Sequence, residues 1–108
     1  DAPAAAIEYM KEVPTTWDET RFVDGYPGRY CVLARRHGDR WYIAGVNAGK
    51  KPLELKLRLP MFDKGTKLHS YTDNRKSLAL EEGQLTVKNP EAVRVTLQPN
   101  GGMVLTGK

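Results

Sequence analysis

A single cysteine, Cys31, leaves this 108-residue chain without an internal disulfide. Cys31 sits in the apolar run Arg29-Tyr-Cys-Val-Leu-Ala34, where it reads as a small buried hydrophobe. The two histidines, His37 and His69, stand far apart in sequence, and neither a paired cysteine nor an aspartate-rich loop accompanies them. Metal-ligand spacing is therefore missing. No Gly-x-Ser-x-Gly turn supplies a nucleophile and no glycine-rich loop supplies a phosphate cradle. The adjacent carboxylates Asp18-Glu19 and Glu81-Glu82 do not form a glycosidase pair. Such a pair must face one bond from two sides, whereas neighbouring strand residues point to opposite faces. Asp73-Asn74 reads as an Asx turn rather than a cation site. The reading of the residues thus assigns no catalytic group, no cofactor and no metal.

No run approaches the ~20 consecutive apolar residues of a membrane-spanning helix. Charge of one sign is not concentrated either. The formal net charge is +4, but the lysines and arginines are spread along the chain instead of clustering beside aromatics that stack on bases. Arg35-Arg36-His37 and Lys50-Lys51 fall where strands end and read as solvated turns. Neither a nucleic acid nor a membrane is expected as a partner.

What is present is mostly period-two alternation. Leu53, Leu55, Leu57 and Leu59 alternate with Glu54, Lys56 and Arg58, giving one apolar and one charged face. Leucine favours helices, but alternation this strict outweighs that preference. The runs Arg29–Arg36 and Arg40–Asn47, joined by His37-Gly-Asp39, predict a hairpin. Further strands are expected around 20–24, 67–73, 84–88, 93–97 and 103–106, with Glu82-Gly83 as punctuation before the 84–88 run. Seven or eight short strands with no helical period between them exclude parallel βαβ units. They predict an all-β, two-sheet antiparallel sandwich, in preference to a closed barrel. Residues 1–12 differ: Ala4, Ala5 and Ala6 favour a helix, Ile7 and Met10 share one face, and Pro14 stops it. The expected organisation is a helical lead-in over 1–12 and one sandwich over 13–108.

A lone helix this short is marginal in water and must dock. Ile7, Met10 and Trp17 are accordingly the candidate interdomain contact. Trp41 and Tyr42 are neighbours, so one points inward and one outward. Trp41 is expected to pack in the core or against the helix. Tyr42 and Tyr71 are candidate sugar contacts, should the chain present aromatics to a glycan.

The run Val13-Pro-Thr-Thr-Trp-Asp-Glu-Thr20 resembles the segment that joins barrel to tail in glycoside hydrolase family 97. Tyr30-Cys-Val-Leu-Ala-Arg-Arg-His-Gly-Asp-Arg-Trp-Tyr-Ile-Ala-Gly45 is similar to that family's first long hairpin, and Tyr71-Thr-Asp73 and Leu97-Gln-Pro-Asn-Gly-Gly102 fit its later strands and last turn. Around 63–80 the chain departs from the family pattern. The resemblance implies a parent α-glycosidase (an α-glucosidase or α-galactosidase) that is calcium-dependent and periplasmic or secreted. It implies an amino-terminal supersandwich, a (β/α)8 barrel and this carboxy-terminal sandwich. The residues before 13 would then end the barrel. No position here matches the family's catalytic glutamates or calcium ligands. The expected role is to pack on the barrel of the parent chain and support self-association. A carbohydrate-binding module for α-glucans is the alternative.

Overall fold

The alternating leucines do form a strand. The computed structural model describes residues 17–74 and 79–108, so the helical lead-in expected over 1–12 lies outside the described residues. Eight strands follow one another: β1 (Glu19–Tyr26), β2 (Tyr30–His37), β3 (Arg40–Asn47), β4 (Leu53–Leu57), β5 (Lys67–Asn74), β6 (Ala79–Thr86), β7 (Val93–Leu97) and β8 (Gly102–Gly107). They make two antiparallel sheets. The large one has the order β1-β2-β3-β8-β5-β6, and the small one pairs β4 with β7.

The small sheet explains the leucine pattern. Leu53, Leu55 and Leu57 lie opposite Leu97, Val95 and Val93, and all six side chains share one face. That face packs on Val32 and Ala34 of β2, Trp41 and Ile43 of β3, Met103 and Leu105 of β8 and Leu68 of β5. Trp41 is in the core, as its alternation predicts. The opposite face of the small sheet carries Glu54, Lys56, Arg94 and Thr96 into solvent. β4 ends two residues before the expected Leu59, because β7 offers no partner beyond Val93. Leu59 is still fully buried, and its N–H donates to the Pro90 carbonyl at 2.7 Å. With Phe62 and Val87, it closes the core at that end of the sandwich.

Two hairpin turns use glycine at positive φ. Between β1 and β2, Pro27 and Gly28 are the central residues of a turn closed by Arg29 N–H to the Tyr26 carbonyl at 2.9 Å. Gly28 has φ 77°, the left-handed value that a type II turn requires at that place. Between β2 and β3, His37 pairs with Arg40 across a two-residue loop that opens with Gly38 at φ 63°, the type II′ pattern.

One strand differs from the expectation. β6 runs over Ala79–Thr86, so Glu81, Glu82 and Gly83 lie inside a strand rather than in a turn. Pairing with β5 overrides the local signal. Gly83 faces Ser70, and a β-carbon there would come within 3.0 Å of the Ser70 hydroxyl, so the missing side chain is what the register uses. Asp73 and Asn74, read as an Asx turn, are the last two residues of β5.

Asn47, at the end of β3, ties the two sheets together. It is buried, and its side-chain amide donates to the carbonyls of Lys51 at 2.9 Å and Leu97 at 3.1 Å. Its side-chain oxygen accepts from Gly49 N–H at 2.8 Å. One residue thereby fixes the β3–β4 connection and the end of β7.

Replacing Leu57 with Ala should lower unfolding free energy by about 2–5 kcal/mol. Leu57→Asp, which buries an unpaired charge, should leave no cooperative transition in urea. Asn47→Ala leaves the buried Leu97 carbonyl without this donor and should cost about 1–3 kcal/mol in the same titration.

Candidate docking face

The small sheet covers one face of the large sheet, and the chemistry of the other face decides what the sandwich can do. Alternation assigns that outer face residue by residue. One row across the large sheet runs Phe22, Leu33, Ala44, Val104, Tyr71, Glu82. The next runs Thr20, Arg35, Tyr42, Thr106, His69, Gln84. On the other side of the first row lie Gly25, Cys31, Val46 and Gly102. The first row is apolar over five of its six strands, which is unusual for a face that the domain's own core does not use.

One end of this face is where the chain reaches the sandwich. Trp17 directly precedes β1, and its ring meets Tyr42 edge-on, with centroids 5.3 Å apart and planes at 70°. The Arg35 guanidinium lies over the same indole at 5.7 Å. Trp17 therefore sits on the outer face, half-buried, and fixes where the polypeptide crosses onto it. Ile7 and Met10, the other candidate interdomain contacts, lie outside the described residues.

Ionic contacts brace this end. Asp18 N–H donates to the Arg36 carbonyl, and the Asp18 carboxylate accepts from Gly38 N–H at 2.7 Å. Arg36 lies 3.5 Å from the Glu19 carboxylate, which also pairs with Arg21. The hydrogen bond from Arg21 holds the Glu19 carboxyl below its ordinary pKa, with Arg36 adding to it. Arg21 reaches across the opposite face of β1 and lies 4.9 Å from the centre of the Trp41 ring.

The other end of the outer face is open. Phe22 is 68% exposed there and Val46 39%, while Tyr26, 60% exposed, stands opposite Tyr30 on the inner side at the tip of the hairpin. Phe22 folds back over Gly25, where a β-carbon would come within 3.1 Å of its ring. Beside it lies an open hollow of about 430 Å³ lined by Phe22, Tyr26, Tyr30, Cys31, Val46 and Ala48. Arg29 covers one side of the Tyr26 ring at 5.6 Å. Cys31 is half-buried on this outer face, so the sequence expectation of full burial is corrected: its β-strand parity sends it away from Val32 and the core. Tyr30, on the inner side, donates to Asp24 at 3.3 Å; burial and that carboxylate push its phenol pKa up.

The sugar-contact candidates share the outer face but do not form an open platform. Tyr42 points out of the sandwich, as its neighbour's burial requires, yet it is only 9% exposed and has Trp17 against it. It offers no free ring face to a sugar. Tyr71 is half-buried and stacks on His69 with centroids 5.5 Å apart. Sequence reasoning missed the Phe22 end. Thr20, Phe22 and Asp24 look like one alternating face, but a bulge between Phe22 and Asp24 shifts the register, so Phe22 and Gly25 come to share the outer side. Among the described residues, no group of three or more His, Cys, Asp or Glu side chains converges to hold a metal ion.

Comparison with known proteins gives this face a context. Residues 16–106 match the family described as glycosyl-hydrolase 97 C-terminal, oligomerisation. The chain belongs to this family. A probable retaining alpha-galactosidase of Streptomyces bingchenggensis is 43% identical over 60 residues, which is 55% of this chain and 9% of that protein. A retaining alpha-galactosidase of Bacteroides thetaiotaomicron is 50% identical over 38 residues, 35% of this chain and 6% of that protein. Among solved structures, a beta-arabinopyranosidase superposes with a TM-score of 0.81 at 53% identity over 99% of this chain and 17% of its own length. A family 97 enzyme from Pseudoalteromonas sp. strain K8, in complex with acarbose, shares the fold at TM-score 0.61 and 24% identity, over 93% of this chain and 17% of that one. The GH97 C-terminal chain thus spans less than a fifth of the length of each of these relatives.

Glu19→Gln should be less stable than the parent sequence at neutral pH. The lowered pKa means that the folded state favours the carboxylate, so this contribution is lost as pH falls through the Glu19 pKa. Thermal melts of the two proteins should converge in acid and separate as pH rises.

Proposed function

We propose that this chain is the non-catalytic carboxy-terminal domain of a family 97 glycosidase, and that it braces the catalytic barrel and supports subunit association. The observation that carries the reading is the apolar outer row of the large sheet, which lies outside the sandwich core, is already desolvated at Tyr42 and Val104, stays exposed at Phe22 and Val46, and receives the polypeptide at Trp17. A face of this kind fits a protein surface better than a sugar. Glycan binding needs exposed ring faces with polar groups beside them, whereas Tyr42 is already covered. The family description, with its reference to oligomerisation, supports the association half of the role.

The reading extends to the parent. Two relatives are named retaining alpha-galactosidases and a third a beta-arabinopyranosidase. We take the parent's substrates to be pyranosides of that class, which narrows the α-glycosidase expectation. Turnover, calcium and a periplasmic or secreted location belong to the parent and not to this domain.

The test compares the full-length protein with a form lacking residues 17–108. Loss of the domain should lower the melting temperature and reduce the mass in sedimentation. The isolated 108-residue chain should not hydrolyse nitrophenyl α-galactoside. Turnover by that chain, or a deletion that changes neither stability nor assembly, would refute the role.

A further inference from the structure

We infer that the segment before Trp17 lies as a helix across the centre of the large sheet's outer face, with Ile7 and Met10 seated on the rows of Val104 and Tyr42. Residues 1–16 lie outside the described residues, but the face they would cover does not. Val104 stands on the outer side of β8 and is fully buried, yet it has no place in the hydrophobic core cluster. Its neighbours across the row are Ala44 and Tyr71, and Gly102 and Thr106 flank it along its own strand. Such neighbours shield a valine from the sides. Alanine adds one carbon and glycine none, so the space above Val104 stays open to them. The small sheet packs on the inner face. Trp17 meets Tyr42 and Arg35, which sets its ring over β3 and β2, on the side away from β8. Arg40 reaches Thr106, one row away. The cover over Val104 therefore comes from outside the described residues.

Two stretches compete for that place. Residues 75–78 join β5 to β6 beyond Asn74, three residues past Tyr71, or about 10 Å along the strand. A four-residue connection that must also reverse direction has no length left to return to the Val104 row. The amino-terminal stretch ends at Trp17, against Tyr42, and the next row lies only about 7 Å further. A helix over residues 1–12 spans about 18 Å, enough to cross both rows. Its residue order suits the site. Pro3, Ala6, Ile7 and Met10 fall on one side of such a helix, and Asp1, Glu8 and Glu12 on the other. Running back from Trp17 after the break at Pro14, it brings Met10 and then Ile7 over the sheet and turns its carboxylates away. Phe22 and Val46 are left uncovered near the β1 edge, in keeping with their exposure. The inference rests on the bracing role above for its place in the parent, where the end of the barrel becomes the part that touches the sheet.

The test uses the 108-residue chain, methyl-labelled for nuclear magnetic resonance, with a soluble paramagnetic agent. Overhauser contacts should join the Ile7 and Met10 methyls to the outer face, Val104 included, and the agent should broaden Val46 while sparing Val104. Ile7→Ser with Met10→Ser should abolish that sparing, and Glu8→Ser, on the acidic side, should keep it. The Leu57 methyl shifts report whether each variant is folded; if the double variant is not, the contacts in the parent sequence decide. Val104 broadened as strongly as Val46 in the parent sequence overturns the inference. Sparing that survives the double variant does so too: if it grows with protein concentration the cover is a second copy, and if not it is residues 75–78. Sparing that depends on Ile7 and Met10, in an enzyme indifferent to loss of residues 17–108, keeps the helix and removes the bracing role. An open Val104 in an enzyme that needs the domain does the reverse.

Discussion

The two-stranded sheet packing its leucine and valine face onto the centre of a six-stranded sheet is the contact on which the rest of the structure depends. Leu55, Leu57, Val93, Val95 and Leu97 are each less than a tenth exposed, and they meet Val32, Ile43, Met103 and Leu105 across the seam. No disulfide supports this contact and no group of metal-ligating side chains converges among the described residues, so apolar burial and interstrand hydrogen bonds hold the domain. The seam also has a topological consequence. β4 and β7 are far apart in sequence, so closing it draws in the loops that carry Phe62 and Val87 and seals that end of the core.

Unequal sheets leave unequal surfaces. Two strands cover the inner face of the large sheet only with the help of the 59–66 and 87–92 segments, while the outer face has no sheet of its own to pack against. Val104 is nevertheless fully buried there, flanked in the ladder by Ala44 and Tyr71. The Thr106 hydroxyl accepts from Arg40 at 3.1 Å. The centre of the outer face is thus already desolvated, and its exposed apolar surface is concentrated at Phe22 and Val46.

Most of the fold was legible because alternation and turn chemistry are local. The β2–β3 hairpin follows from two apolar runs and a glycine, and the buried face of β4 from the alternating Leu53, Leu55 and Leu57. What was not legible came from partners distant in sequence. Gly83 signals a turn until Ser70 is placed across from it. Leu59 continues the pattern of β4 but has no strand to pair with. The bulge in β1 moves Phe22 and Gly25 to one side, and no composition rule marks it. The candidate face fared similarly. Trp17 was expected at a junction and does lie where the chain meets the sandwich, while Tyr42 was read as outward without the tryptophan that covers it.

The sequence by itself determined the strand class, the inner face of each long strand and the lack of any recognisable reaction centre, since side-chain period and turn residues are encoded in neighbours. Only the tertiary structure decided that six strands oppose two, that Asn47 joins the sheets, and that one face of the larger sheet is left apolar. Those outcomes depend on which strands pair and in what register, and pairing energy is shared between residues tens of positions apart.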